Sequence, residues 1–307
     1  MILITEFMDE TAIKKLEKRY NVIYDSSLFE NPSAISKIIG DAKAIIVRNK
    51  TLITRNLLDK APLLTCVGRL GVGLDNIDIK GCEEKRITVY PATGANSNSV
   101  AEYVICTSML LLRGAFFKKN KMVSGLWPRE ESSGSEVNGK TMGLIGFGEI
   151  AQKVKRIAVS IGMKIVAHDP YLQPHNKIWQ GTDNLTLDEL LKCSDIISLH
   201  VPLTKETKNL IDKTKIELLK PTAIIINAAR GGIIDEDALA SALEKGRIRG
   251  AALDVFTNEP LDKEAAKKFG GLENIILTPH IGGITIESNK QVSSMIADKV
   301  NQHLSKM

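Results

Sequence analysis

Several kinds of protein need material that this chain has little of. Among its 307 residues there are four cysteines, Cys66, Cys82, Cys106 and Cys193. None forms a C-x-x-C pair, and no histidine stands beside them at a metal-ligand interval. That excludes a disulfide framework, gives no metal site, and makes a reduced, cytoplasmic setting the expectation. Cys66 and Cys106 sit inside apolar runs and read as buried thiols. Long apolar runs are also missing. The longest, Val104 to Leu112, stops at Arg113 after about half the length that a bilayer crossing requires, so it reads as a buried helix. The apolar start, Met1 to Phe7, is short. Glu6 and Asp9 stand where a secretion signal would place basic residues and a cleavage site. Basic blocks are absent too. The 41 lysines and arginines exceed the 36 acids by five, and the surplus is spread along the chain. It can draw small anions, but it argues for neither nucleic acid nor membrane as a partner. No internal repeat or low-complexity tract is visible.

What is present is ordinary globular composition, 43% hydrophobic and 25% charged, at a length that predicts two domains. The first hundred residues alternate short apolar runs with amphipathic stretches. Ile2 to Phe7 reads as a strand, and Asp9 to Tyr20 as a helix with Ile13, Leu16 and Tyr20 on one face. Val22 to Tyr24, Ala44 to Val47, Leu64 to Val67 and Thr88 to Tyr90 read as further strands, with Leu57 and Leu58 on a helix between two of them. A second series starts at Met142 and runs through Ile165, Ile196 to Leu199, Ala223 to Ile226, Gly250 to Leu253 and Ile275 to Leu277. Alternation of this kind predicts parallel sheets with crossover helices, and nearly all-apolar strands predict cover on both faces. Between the series lie a long apolar helix, Val100 to Arg113, and a polar stretch, Lys118 to Lys140, that reads either as a surface arm packing on a partner subunit or as a disordered loop. The residues after Thr285 read as a final amphipathic helix that returns to the first domain.

The segment GLIGFGEIAQKVKRIAVSIGMKIVAHDPY, residues 143 to 171, is the most informative. Gly146, Gly148 and Ala151 fill the three positions of G-x-G-x-x-G/A, after a strand and at the start of a helix. Asp169 ends the next strand, 23 residues beyond Gly146. Such a turn brings bare backbone and a helix N-terminus to a pyrophosphate. The acid accepts hydrogen bonds from a ribose and repels a 2′-phosphate, which favours NAD over NADP. Without the acid, the same turn could be a tight βα connection with no ligand.

Three charged residues follow strands of the second series: Arg230 in NAARGGIIDEDAL, Glu259 in DVFTNEP and His280 in TPHIGG. Strand carboxyl ends share one rim in a doubly wound sheet, so the three should converge there. Arginine for a carboxylate, imidazole for a proton and carboxylate to orient the imidazole suit hydride transfer on a 2-hydroxy or 2-keto acid. Taken singly, His280 could merely pack at a strand end, Glu259 could be a solvated acid, and Arg230 a surface cation.

GFGEIA, HVPLTKETKNLID, NAARGGIIDEDAL, ALDVFTNEP and TPHIGG together resemble, in order, the motifs of the D-isomer-specific 2-hydroxyacid dehydrogenase family. The likeness is closest to the 3-phosphoglycerate dehydrogenase branch and spans essentially the whole chain. It implies an α/β fold of two Rossmann-like or flavodoxin-like parallel-sheet domains, with the active site in the cleft between them. Residues 1–97 plus 286–307 would form a discontinuous substrate-binding domain. Residues 98–285 would form the NAD-binding domain, with a dimerisation helix and arm at 100–140. The catalytic set would be Arg230, Glu259 and His280; Glu259 argues against formate dehydrogenase, which has glutamine there. The resemblance further implies cofactor contacts from Gly146, Phe147, Gly148, Glu149, Ile150, Asp169, His200, Val201, Pro202, Thr207, Ala228, Ala229, Asp254, Gly282 and Gly283, with Asp254 on the nicotinamide carboxamide. Substrate contacts would come from Arg48, Gly71, Val72, Gly73, Asn96, Arg230 and His280. Arg48 matches an arginine that meets the phosphate of 3-phosphoglycerate, although Asn49 stands where those enzymes commonly have serine. Lys50, and Arg129 of a Trp127–Arg129 group in the arm, are further candidates.

The expected activity is NAD-dependent interconversion of a small 2-hydroxy acid and its 2-keto acid, with a second anionic group such as phosphate or sulfonate. A homodimer or tetramer is implied, with no metal. Because the chain ends soon after its last helix, no serine-binding regulatory domain is expected. A dinucleotide-sensing corepressor-like protein and a methyltransferase are the other readings.

Overall fold

The computed structural model describes residues 1–306, which fall into two compact units, Met1–Asn96 with the residues from Ile284 on, and Ser97–Gly283. In the first unit five strands, β1 (Ile2–Ile4), β2 (Val22–Tyr24), β3 (Ala44–Val47), β4 (Cys66–Arg69) and β5 (Thr88–Pro91), form one sheet in the order β2-β1-β3-β4-β5. Every pairing is parallel, so every connection must cross over a face. The period of two then assigns the core. Ile2, Ile4, Ala44, Ile46 and Cys66 point to one face, under the Glu10–Glu17 and Ile286–Leu304 helices. Leu3, Ile45, Val47 and Val67 point to the other, against Ile35, Leu58 and Cys82.

The second unit holds β6 (Thr141–Ile145), β7 (Lys164–His168), β8 (Asp183–Asn184), β9 (Ile196–Leu199), β10 (Ile224–Asn227), β11 (Gly250–Leu253) and β12 (Ile275–Leu277). Their order is β12-β11-β10-β9-β6-β7-β8, again all parallel. The Ser97–Arg113 and Glu149–Ser160 helices cover one face, and the Leu187–Cys193 and Glu236–Glu244 helices the other. Counted from β6, this is the doubly wound dinucleotide order extended by one strand; the first sheet has the flavodoxin-like order. Each sheet reverses direction once, between β1 and β3 and between β6 and β9. Open α/β sheets bind ligands at the carboxyl ends beside such reversals.

Strands β1, β3, β9, β10 and β11 are wholly buried, whereas β2, β5, β7, β8 and β12 are partly or fully exposed. Cover on both faces thus holds for those five strands and lapses toward the edges. The first strand ends at Ile4 rather than Phe7, because the chain leaves the sheet and turns Glu6 inward. Leu64 lies in a turn closed onto Ala61, which delays the fourth strand to Cys66. Strand β8 was not anticipated, since two polar residues give no apolar run. Of the thiols, Cys66 and Cys82 are buried, and burial pushes them up to about 12 and about 11. Cys106 corrects the expectation, because it is exposed: the Ser97–Arg113 helix buries Val104, Ile105 and Ser108 and turns Cys106 and Met109 outward. No single helix among the described residues is long and apolar enough to cross a membrane. The arm contains one short helix, Lys119–Val123, and its far end is tied down where Arg249 donates to Ser135 Oγ and to the Leu112 carbonyl.

The last helix starts at Thr285, whose hydroxyl accepts the Ser288 N–H at 3.0 Å. It lies directly over β4 at Gly68. A methyl group there would meet Ile296 Cγ2 at 2.6 Å, and Ile46 and Val300 at 3.2 Å. Gly68→Ala is therefore expected to destabilise the protein by about 1–3 kcal/mol through overpacking, read as a fall in the urea midpoint; an unchanged midpoint would show that the helix is not held against this strand.

Candidate active site

The residues of the second unit that the sequence pattern singled out all follow carboxyl ends of parallel strands. Gly146 to Ile150 follow β6, Asp169 follows β7, and His200 to Pro202 with Thr207 follow β9. Ala228 to Arg230 follow β10, Asp254 follows β11, and His280 to Gly283 follow β12. They share one rim because the sheet is parallel throughout.

The turn after β6 separates two uses of glycine. Gly146 has φ of 85°, and a side chain there would strike the His200 carbonyl at 2.7 Å. The protein itself thus requires this glycine. Gly148 has ordinary backbone angles, and a methyl group there would touch nothing within 4 Å. No internal packing demands it, whereas close approach of an external group to bare backbone does. The Glu149–Ser160 helix begins here, with Ala151 fully buried, and presents its first N–H groups to the same side. The Phe147 ring stacks on Trp179 at 4.9 Å, so Phe147 serves the site through its backbone: its N–H donates to Asp169 Oδ2 at 2.9 Å. Asp169 therefore holds the glycine turn, and its carboxylate stands at the end of the second strand. Glu149 accepts a hydrogen bond from Ser97 Oγ at 3.1 Å.

Beyond β9, His200 is partly buried, and its Nε2 pairs with Ser198 Oγ at 3.0 Å. Burial pushes the imidazole down to about 4, so it is neutral near pH 7. Thr207 donates to the Pro202 carbonyl and accepts from Thr204 N–H, which rigidifies the loop. Asn227, at the end of β10, accepts the Ala229 N–H at 3.1 Å and donates to the Arg230 carbonyl at 2.8 Å. This fixes the backbone that presents the guanidinium.

The catalytic candidates do converge. His280 Nδ1 lies 2.6 Å from Glu259 Oε2, and Glu259 Oε1 accepts the Phe256 N–H at 3.0 Å. Burial raises the Glu259 carboxyl. The hydrogen bonds from His280 and Phe256, and the charges of His280 and Arg230, outweigh it and hold the group below its ordinary value. The His280 and Arg230 side chains thus both act on the Glu259 carboxylate. An ionised Glu259 can only accept, so Nδ1 carries a hydrogen and Nε2 is left for proton exchange.

His280 also has φ of 58°, a conformation that costs a non-glycine residue on the order of 1–3 kcal/mol. Asp254 compensates. It is 1% exposed. Its Oδ1 accepts from Thr278 Oγ1 at 2.6 Å and Ile281 N–H at 2.8 Å, its Oδ2 accepts from Gly282 N–H at 2.7 Å, and its carbonyl accepts the His280 N–H at 2.8 Å. The resemblance implied a nicotinamide contact for Asp254. Here its carboxylate is committed to the loop that carries His280, and the Gly282 amide is committed with it. Tyr103, whose hydroxyl burial pushes up to about 12, donates to Thr278 Oγ1 at 2.6 Å and extends this chain to the Ser97–Arg113 helix. Tyr103, Thr278 and Asn227 were missed in the sequence, where nothing but position beside a motif marks them.

In the first unit, Arg48 follows β3, Gly71 to Gly73 follow β4, and Asn96 comes after β5. Arg48 Nη2 donates to Asn289 Oδ1 at 2.9 Å. Any side chain on Gly71 would run into the Arg69 guanidinium. Val72 is 39% exposed. Among the described residues no cluster of His, Cys, Asp or Glu could hold a metal ion.

A glycine turn whose second glycine has no internal need, an acid one strand further on, and an arginine, carboxylate and imidazole on the same rim define a dinucleotide-dependent oxidoreductase. The family model for "D-isomer specific 2-hydroxyacid dehydrogenase, NAD binding domain" matches residues 105–282, and the chain belongs to this family of NAD-dependent 2-hydroxyacid dehydrogenases. Among its relatives, the (S)-sulfolactate dehydrogenase of Chromohalobacter salexigens is 44% identical over 99% of this chain and 98% of its own length. The D-3-phosphoglycerate dehydrogenase of Methanocaldococcus jannaschii is 40% identical over 99% of this chain, which spans 57% of that protein. The crystal structure of the Aquifex aeolicus D-lactate dehydrogenase with NAD and lactic acid superposes with a TM-score of 0.89 at 29% identity, covering 100% of this chain and 96% of that one.

The residues fit NAD: the Gly146–Ile150 backbone for the pyrophosphate, and Asp169 for the ribose. Bound there, NAD supplies a hydride acceptor. With NAD held there, His280 would take the hydroxyl proton of the 2-hydroxy acid on Nε2, Glu259 would stabilise the imidazolium, and Arg230 would pair with the carboxylate. His280→Ala is expected to lower kcat by about a hundredfold or more while NADH binding, followed by fluorescence titration, stays near wild type; Glu259→Gln should lose less. Undiminished turnover in His280→Ala would remove the proton-transfer role.

Proposed function

We propose that the substrate is a small D-2-hydroxy acid carrying a second anionic group on C3, with sulfonate the first candidate and phosphate the second. The observation that carries this reading is Arg48. It is partly buried on the rim of the first sheet, with Lys50 two residues on. Burial pulls its guanidinium below the ordinary value, and Glu6 only partly offsets this. A cation kept in a poorly solvated place gains most from an anionic partner with several oxygens. The full-length likeness to a sulfolactate dehydrogenase supports sulfonate. The stereochemistry agrees, because sulfur outranks the carboxylate in priority and the S descriptor of sulfolactate corresponds to the D arrangement. Gly71 to Gly73 would meet the reacting carboxylate through backbone N–H groups. The four unpaired thiols support the cytoplasmic setting. The decisive measurement is kcat/KM for 3-sulfolactate, 3-phosphoglycerate and lactate with NAD. The two dianionic acids should exceed lactate by about tenfold or more, and equal efficiency on all three would end the second-anion reading.

We further propose a homodimer built on the outward face of the Ser97–Arg113 helix and the segment after it. Cys106 and Met109 face outward there, and Phe116, Val123, Leu126 and Trp127 are 66%, 79%, 57% and 76% exposed. That much exposed apolar surface on one stretch of chain is unusual for a monomer, and a second copy would cover it. Light scattering should give twice the mass of one chain, and Phe116→Glu with Val123→Glu should shift it toward the monomer. A monomeric wild type would refute the assignment.

A further inference from the structure

The carboxylate of Glu6 occupies a position that neither the catalytic set nor the cofactor turn accounts for. Glu6 comes directly after β1, and the Arg48–Thr51 turn directly after β3, so both stand at the reversal point of the first sheet. Glu6 is 3% exposed. Its Oε1 accepts the N–H groups of Arg48 at 2.8 Å and Thr51 at 2.9 Å. Its Oε2 accepts those of Lys50 at 3.0 Å and Asn49 at 3.2 Å. Four consecutive backbone amides thus converge on one carboxylate, two to each oxygen, which is the geometry of an anion nest filled from within the chain. The turn is pinned from its carbonyl side as well. Asn76 Nδ2 donates to the Arg48 and Thr51 carbonyls at 3.2 and 2.7 Å, and Thr5 and Thr51 hydroxyls pair at 2.7 Å.

A burial-driven reason for this arrangement is lacking. Leucine or methionine at position 6 would fill the space but leave the four amides without their acceptor. What the carboxylate uniquely provides is a fixed direction for the backbone at residues 48 to 51, and hence for the first atoms of the Arg48 side chain. Its carboxylate also lies near enough to the Arg48 guanidinium to favour its charge, and the guanidinium donates to Asn289 Oδ1 at 2.9 Å. Flexible arginines lose rotamer freedom on meeting a ligand, so an arginine already fixed binds an anion at lower entropic cost.

We infer that Glu6 is a positioning residue that sets selectivity for the second anionic group by fixing the turn carrying Arg48. The inference rests on the reading of Arg48 given under Proposed function. Glu6 touches no substrate in this scheme and acts through the turn alone.

The test compares the ratio of kcat/KM for 3-sulfolactate to kcat/KM for lactate, two acids that differ only in the distal anion. Glu6→Gln keeps the size but turns an NH2 group toward the amide donors, and the ratio should fall about tenfold. Most of that fall should lie in the sulfolactate KM. Glu6→Asp keeps the charge, is one methylene shorter, and should retain more of the ratio than Glu6→Gln; it also serves if Glu6→Gln fails to fold. Arg48→Met should lose the ratio outright, and adding Glu6→Gln to it should lower the ratio no further. A ratio retained in Glu6→Gln but lost in Arg48→Met would overturn the role of Glu6 and leave that of Arg48 standing. An unaltered ratio in Arg48→Met would overturn both at once. Equal losses on both acids in Glu6→Gln would make Glu6 a purely structural residue and refute the inference.

Discussion

The buried carboxylate of Asp254 is the interaction on which the catalytic arrangement depends. The imidazole must stand where a strained backbone puts it, and nothing in His280 itself favours that conformation. Asp254 resolves the conflict by gathering the amides of Ile281 and Gly282 and the hydroxyl of Thr278 onto one side chain, while its own carbonyl takes the His280 N–H. Charge-assisted hydrogen bonds of this kind are about twice as strong as neutral ones, so the loop is over-determined and the strain persists. Glu259 can then orient the ring from the side-chain end. Backbone and side chain of the same histidine are thus fixed by two different acids, one buried and one at the rim.

The cofactor end shows a parallel division. Gly146 is there because the fold requires it, whereas nothing within the fold requires Gly148; only the structure separates the two, since a side chain on one would collide with the His200 carbonyl and on the other would face open space. Asp169 joins the two ends of the turn by accepting the Phe147 N–H. A carboxylate already fixed on the turn keeps its direction toward a ribose without a further loss of side-chain freedom.

Much of this was legible in the sequence, and the limits have physical causes. Strands whose side chains are buried on both faces, such as Ile196–Leu199 and Gly250–Leu253, declare themselves as apolar runs. The two-residue Asp183–Asn184 strand does not, because its pairing uses backbone alone. The triad of Arg230, Glu259 and His280 was readable because parallel strands force their ends to one rim. Tyr103 and Thr278 were not, since their role arises from a hydrogen-bond chain between segments far apart in sequence. Cys106 misled because an apolar run on a helix need not be buried all round: three residues of four can face the core while the fourth faces out. Glu6 was visible as a lone acid within ILITEFM, but sequence could only use it to argue against a secretion signal.

Glu6 and Asp254 are two instances of one device. Each is an acid just beyond a strand end, almost wholly buried, and each accepts hydrogen bonds from amides of a loop at the carboxyl rim of its sheet. Burying a carboxyl group in this way is costly unless its oxygens find donors. The amides and the acid therefore hold one another in place, because any movement of the turn breaks several hydrogen bonds at once. A glutamine would fill the same space, but it offers one acceptor oxygen and sets two donors against the remaining amides. The choice of acid over amide is thus a choice of rigidity, and it falls on the two loops that carry His280 and Arg48.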